Sequence, residues 1–325
     1  MLFNRFTETV FLKQESELEK KIAFLKEYVS KYPSNQKASK DLKLAEIGLK
    51  GEHEIEFELK HANIGMYVLH DITIQYEDLK AQIDYVVITP AGTYLIECKN
   101  LLGNITVDKY GNFTREYEYK GKKVREGIYS PYTQAERHKE VLRKIWKSKH
   151  SVITQVLFGG NFDKLWYKSL VVMANSKNVL NVRYAPKEIK ERIIKSDALV
   201  RRIKDDIEKT KKEDRYTPKN MEDYAQNFLK LHVDETPDYS KVYQDTKTEE
   251  NDHEDLKDAL IQFRKTKSKS RNIPAYYIFT NDELDKILEA MPKTMEELER
   301  SKILSSTKVK LHGEEITNII NKKMK

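Results

Sequence analysis

Three ionisable residues, Asp84, Glu97 and Lys99, stand at the ends of two short apolar runs joined by a turn. Asp84 follows Gln82-Ile83 at the start of the run over residues 83–89. Glu97-Cys98-Lys99 closes the run over residues 93–98, and Pro90-Ala91-Gly92 lies between them. The composition predicts two antiparallel strands and a tight turn, which brings Asp84 and the Glu97–Lys99 pair to the same end. Glu97 and Lys99 are two residues apart, so on a strand they share a face, with Cys98 on the other. Such a cluster suits a hard cation, which takes oxygen ligands and usually needs only one or two carboxylates, keeping positions for water and phosphate. Asp84 and Glu97 supply the carboxylates, and the Cys98 backbone carbonyl is a candidate third ligand. Lys99 beside the cation would orient or deprotonate a water and stabilise charge at phosphorus. A charged pair ending the apolar Tyr94-Leu95-Ile96 is costly to half-bury unless paired or metal-bound. The alternative is an exposed Glu97–Lys99 ion pair of about 0–1 kcal/mol.

Around this pair the pattern predicts a mixed α/β chain. Residues 15–32 read as a helix with Leu18, Ile22, Leu25 and Val29 on one face, and Pro33 with Ser34-Asn35 ends it and opens a second. Residues 52–60 continue as helix, and short β-rich runs follow at 67–69, 83–89, 93–98 and 105–107. Residues 113–125 predict a hairpin turning at Gly121, with Tyr117, Tyr119, Lys120, Lys122 and Lys123 either a base-stacking contact or a solvated face. Pro131 suits the first turn of a helix carrying Ala135, His138, Leu142 and Ile145. Residues 152–158 and 170–174 read as buried strands, and residues 188–211 as one long amphipathic helix. The expected domains are a helical hairpin over 1–50, an α/β domain over 51–232, an acidic linker over 233–253 containing Thr236-Pro237, and an all-α domain over 254–325.

The bulk properties narrow the function classes. The chain has 325 residues, a net charge of +7 and a pI near 9.0, which favours polyanionic partners. Its single cysteine, Cys98, excludes an intrachain disulfide and a cysteine-rich zinc site, and fits a cytoplasmic location. No run reaches the ~18 apolar residues of a membrane span, and the first residues lack the pattern of a signal peptide. There is no Gly-x-x-x-x-Gly-Lys-Ser/Thr loop, so ATP hydrolysis is not expected of this chain.

Over residues 51–146 the ordered set Gly51-Glu52, Gln82-Ile83-Asp84, Ile96-Glu97-Cys98-Lys99, Gly103, Pro131-x-x-Gln134 and His138 resembles the nuclease-related domain family, a branch of the PD-(D/E)XK nucleases. The resemblance implies a restriction-endonuclease-like mixed sheet flanked by helices, and phosphodiester hydrolysis with Mg²⁺, or Mn²⁺ in its place. It implies Asp84 and Glu97 as metal ligands, Lys99 as the catalytic lysine and Glu52 as an accessory acid. Gln82 and Gln134 become candidates for orienting water or the scissile phosphate. Each has a plainer alternative: Glu52 placed favourably near a helix start, Gln134 positioning backbone groups, and His138 a packed or hydrogen-bonded histidine.

Residues 254–325 resemble the HRDC domain, a helical nucleic-acid-binding module found behind RecQ-type helicases and RNase D. The resemblance rests on Leu256, Leu260, Phe263-Arg264, Ile273-Pro-Ala-Tyr-Tyr-Ile-Phe279, Asp282-x-Leu284, Pro292-x-Thr294, Glu297-Leu298 and His312-Gly313. It implies nucleic acid as partner, DNA before RNA, and admits a helicase partner. One departure is the segment Ile303-Leu304-Ser305-Ser306-Thr307-Lys308, which lacks the glycine common in that loop. The Lys265, Lys267, Lys269 and Arg271 run would offer phosphate contacts instead, or form a solvated basic loop. The leading expectation is a Mg²⁺-dependent DNA nuclease; the alternative is a catalytically silent nucleic-acid-binding scaffold working with a helicase or other partner.

Overall fold

The computed structural model describes residues 6–323 apart from 120, 163–165, 235–236, 245–248 and 272, so Lys120 and Thr236 of the expected hairpin and linker lie outside the described residues. The chain forms two compact units. One holds residues 39–237 and the segment ahead of Tyr32; the other holds residues 32–38 and 238–325.

The first unit is built on a six-stranded mixed sheet of β1 (Thr9–Lys13), β2 (Met66–Tyr76), β3 (Leu79–Thr89), β4 (Gly92–Lys99), β8 (Tyr167–Met173) and β10 (Ile193–Lys195), in that order. β2, β3 and β4 are antiparallel neighbours, while β4 pairs parallel with β8, and β8 with β10. The central strands are apolar on both sides because helices cover both faces. On one face lie α3 (Pro131–Ser148), through Val141, Leu142 and Ile145, and α7 (Pro218–Leu231), through Met221, Ala225 and Phe228. On the other lie α2 (Gln36–Lys60), through Ile55 and Leu59, and α6 (Leu199–Lys209), through Leu199 and Ile203. Each such fully buried aliphatic chain contributes about 1.5–3 kcal/mol of burial free energy. α1 (Glu17–Lys31) precedes α2. A second sheet, β7 (Lys122–Ile128), β6 (Phe113–Tyr119), β5 (Asn104–Val107) and β9 (Leu180–Asn181), packs Ile105, Val107 and Phe113 on Ala135 of α3.

The β2–β3 pair inverts midway. Leu69 and Ile72 of β2 enter the same apolar cluster, as do Val86 and Ile83 of β3, although strict alternation would send each pair to opposite faces. The inversion falls at Asp71, whose φ is +55°, opposite Asp84. Aspartate tolerates this left-handed conformation better than most residues because its short polar side chain bonds locally.

Several local expectations are corrected. Residues 152–158 belong to helix α4 (Val152–Asn161), capped by Ser151, whose hydroxyl accepts the Thr154 N–H at 3.3 Å. Val152 and Ile153 are 74% and 73% exposed, so this is no buried strand. A short apolar run does not separate the two structures by periodicity, and the Ser151 cap decides it. Residues 188–211 are not one helix. A single turn, α5 (Lys187–Lys190), gives way to β10, where Ile193-Ile194 suit the sheet, before α6 begins. Strand β1 was not expected, and the 170–174 strand is found as β8. Gln36–Lys60 is a single helix, so residue 51 lies within an element and not at a break. Residues 233–253 also hold structure, α8 (Tyr239–Gln244) and the start of α9 (Glu249–Ser270).

The second unit packs α9, α10 (Asn281–Ala290), α11 (Met295–Arg300) and α12 (Ser306–Lys323) around Leu256, Leu260, Phe279, Ile287, Leu298 and Ile316. Where a glycine was expected near the last loop, Lys302 takes the left-handed conformation, with φ +53°. Lys265, Lys267 and Lys269 lie on helix α9, not in a loop.

Candidate active site

Antiparallel pairing of β3 and β4 ends at Tyr85 and Ile96, one residue before Asp84 and Glu97. Beyond that point the Asp84 carboxylate accepts the Cys98 backbone N–H at 2.6 Å, replacing a ladder bond and holding the strands apart. Glu97 and Lys99 leave β4 on the face covered by α3, while Cys98 packs into the opposite core, as the two-residue period requires. Glu97 is buried, 2% exposed. Its Oε1 accepts the Lys99 ammonium at 2.6 Å, and its Oε2 lies 3.4 Å from His138 Nδ1 of α3 without a hydrogen bond.

The electrostatics of the cluster follow from this crowding. Burial, then the charges of Glu97 and Glu52, push the Asp84 carboxyl well above its ordinary range, against the Cys98 N–H and Lys99. Burial also raises Glu97, against the pull of Lys99. Burial works against the Lys99 ammonium, but the Glu97 charge and hydrogen bond prevail and hold it above its usual value. Burial and the neighbouring Lys99 push His138 down to about 4, so it is a neutral imidazole at physiological pH. Two acidic groups that resist joint ionisation, and a buried carboxylate oxygen without a partner, are the surroundings a divalent cation would relieve. Among the described residues no three His, Cys, Asp or Glu side chains gather as a ready-made cage. The donors fit a hard cation that keeps most of its water, and Asp84 and Glu97 would hold it.

Glu52 reaches this region because α2 comes close. A Cβ on Gly51 would lie 2.5 Å from Asn100 Cβ, so glycine permits the approach, and Asn100 Nδ2 donates to the Ile47 carbonyl at 2.6 Å. The Glu52 carboxylate accepts His70 Nε2 at 2.9 Å, and His70 Nδ1 donates to the Gln14 carbonyl at 2.8 Å. His70 stacks on Tyr85 at 4.4 Å, whose hydroxyl donates to the Glu52 carbonyl. Burial disfavours the charged imidazole, but the hydrogen bond and charge of Glu52 outweigh it and raise His70 above its usual value. Sequence reasoning did not single out His70. Its signal was the polar His70-Asp71 pair inside an otherwise apolar strand.

The remaining candidates divide. Gln82 donates to Asp71 Oδ1 at 2.6 Å, and Asp71 Oδ2 accepts the Glu17 N–H, so Gln82 is tied to the start of α1. Gln134 precedes His138 by one turn on the same face of α3, and among the described residues its amide makes no hydrogen bond. Glu136 of α3 binds Arg192 at 2.7 Å and Lys139 at 2.9 Å, and accepts the Ser169 hydroxyl, fixing the helix to β8. Gly103, with φ +89°, starts the second sheet where a Cβ would come 2.4 Å from the Glu116 carbonyl oxygen.

Comparison with known proteins finds two domain families. Residues 47–174 match the family model of the nuclease-related domain, and residues 253–320 match that of the HRDC domain. No curated protein and no solved structure matches the chain. The first match contains Glu52, Asp84, Glu97, Lys99 and His138, and the second contains the Leu256–Leu260–Phe279 core. The chain thus carries a nuclease-related domain followed by an HRDC domain.

Proposed function

We propose that the first unit is a Mg²⁺- or Mn²⁺-dependent nuclease that hydrolyses phosphodiester bonds in DNA within a restriction-endonuclease-like fold. The observation that carries the reading is the unpartnered, buried Glu97 Oε2 beside a second carboxylate, Asp84, with Lys99 bonded to the other Glu97 oxygen. Asp84, Glu97 and the Cys98 carbonyl would hold the cation, which would supply Lewis acidity toward a phosphate oxygen and lower the pKa of a water. Asp84 is oriented for this by the Cys98 N–H. Lys99, fully charged in its pair with Glu97, stabilises negative charge developing on the phosphorus oxygens. Its proton stays on the ammonium while Glu97 is ionised, so its role is electrostatic and positional before it is that of a base. Glu52 adds negative charge behind Asp84. Gln134 and Gln82 are assigned to orienting water or phosphate, Gln134 from the same helical face as His138 and Gln82 through Asp71.

The HRDC domain supports nucleic acid as the substrate class, and its exposed Tyr276 and Tyr277, whose rings lie 4.8 Å apart, offer faces for base stacking. The decisive experiment is cleavage of labelled single-stranded, duplex and forked DNA and of RNA, with Mg²⁺ or Mn²⁺, by wild type, Asp84→Ala and Lys99→Ala. Metal-dependent cutting lost in both variants establishes the nuclease, with a fall of about 10²–10³ for Lys99→Ala. No cutting, with tight salt-sensitive binding that survives both substitutions, replaces this reading with a scaffold that serves a helicase or other partner.

A further inference from the structure

A cavity of about 490 Å³ opens on the α3 face of the sheet at the other end of β4, between Thr93, the last turns of α3 and helix α7. Thr93 is four residues from Glu97, about 13 Å along a strand, so the cavity is separate from the carboxylates. Its volume lies in the range of small-ligand sites, about 300–1,000 Å³. Its walls are aromatic: Trp146, Trp166, Tyr167, Tyr216, Tyr224 and Phe228. Trp146 stacks on His150 at 4.7 Å and 24°, while Trp146–Trp166 meet at 6.0 Å and 57° and Tyr216–Tyr224 at 4.9 Å and 49°.

Three further observations say what would enter. Lys149 and Lys230 line the cavity, form no ion pair among the described residues and meet no Asp or Glu among its described lining residues. Among the same residues, neither indole N–H and none of the three tyrosine hydroxyls makes a hydrogen bond within the chain, which leaves them as donors for an occupant. The Asn227 amide adds a donor and an acceptor. An occupant matching this lining is flat, aromatic, edged with hydrogen-bonding groups and negatively charged. We infer that this cavity binds a nucleoside monophosphate unit, its base between the tryptophan and tyrosine rings and its phosphate toward Lys149 and Lys230. Stacking on such rings tolerates any base, because every base has a π-face. The unit can come from a free nucleotide or from a strand, and the inference does not rest on the proposed hydrolysis.

Trp146 and Trp166 are the chain's two tryptophans, so fluorescence excited selectively at tryptophan reports this cavity. The full chain, without added divalent metal, is titrated with deoxyadenosine monophosphate, with a 5′-phosphorylated single-stranded oligonucleotide and with inorganic phosphate. Saturable quenching by the mononucleotide, weakened at least tenfold in Lys149→Glu/Lys230→Glu and in Tyr224→Ala, supports a free-nucleotide site. Quenching by the oligonucleotide and not the mononucleotide, with the same losses, supports the inference with a strand as the source. Unchanged fluorescence, an equal response to phosphate, or quenching that the surface lysine variant leaves intact would overturn it.

Discussion

Asp71 and Asp84 stand opposite each other across β2 and β3, in the gap between the His70–Tyr85 and Ile72–Ile83 pairs. Each carboxylate takes a backbone N–H from another element at 2.6 Å, Asp71 from Glu17 at the start of α1 and Asp84 from Cys98 of β4. The left-handed backbone of Asp71 turns both strands over at this point, and the candidate site opens where the ladder lapses.

Substitution at Asp71 separates its two duties. Asn keeps one acceptor oxygen for the Glu17 N–H, turns its amide toward the Gln82 side chain and tolerates the left-handed conformation, so Asp71→Asn should cost less than Gly or Ala. Asp71→Gly loses the bond to α1, costing about 0.5–2 kcal/mol. Asp71→Ala loses the same bond and adds about 1–2 kcal/mol of backbone strain. Urea unfolding checks the order; equal losses for Gly and Ala would remove the strain argument.

Neutralising Asp84 should stabilise the metal-free protein. Its carboxyl is raised in the folded state, so the folded form holds the proton more tightly than the unfolded chain. The contribution of this group to metal-free stability is therefore complete below the ordinary carboxylate value, about 3.9, and is lost as pH rises through the folded value. Asp84→Asn should raise the metal-free melting temperature at neutral pH by about 2–4 °C, the equivalent of about 1 kcal/mol. Mg²⁺ should then stabilise wild type and leave Asp84→Asn unmoved, which a melting series with and without the cation would read.

Cleavage should rise with pH through a value above the usual carboxylate range, because Asp84 and Glu97 must both ionise to hold a cation. His138, neutral above about 4, does not titrate in that window. A pH–rate profile of His138→Gln should keep the wild-type midpoint, with the rate within about tenfold. A midpoint displaced by a unit or more would make His138 a titrating participant.

The Glu52–His70 pair has the opposite pH sense. The folded imidazole is raised above its unfolded value of about 6.5, so its contribution to stability is complete below that pH and disappears as pH rises through the folded value. His70→Gln should therefore lower the melting temperature most near pH 6 and least near pH 9. A deficit constant across that range would assign His70 to packing on Tyr85 alone.

The site's core was legible because strand parity is rigid: a two-residue spacing fixes a face, and one turn fixes the antiparallel meeting of Asp84 with Glu97. Gly51 was legible as part of a pattern, but its reason, the 2.5 Å that a Cβ would leave to Asn100, is tertiary. His70 was hidden because a left-handed Asp71 breaks the alternation that reading a strand depends on. The run at 152–158 misled because apolar content reports burial, whereas Val152 and Ile153 are exposed and a serine cap sets the helix. Ile193 fitted a helical stripe, yet the free edge of β8 gave it and Ile194 a strand to join.

The pairing of β4 with β8 also sets an order in time. Glu97 and Lys99 lie on a strand whose second neighbour, residues 167–173, is made only after the whole β5–β7 sheet and helix α3. At about 5–20 residues per second of synthesis, several seconds pass between the emergence of Lys99 and that of Met173. Through that interval the nascent chain holds Glu97 and Lys99 on a strand with one open edge, beside Asp84 of β3. Any cutting ability must therefore switch on late, when most of the first unit has left the ribosome, which keeps an unfinished chain from acting on nucleic acid around it.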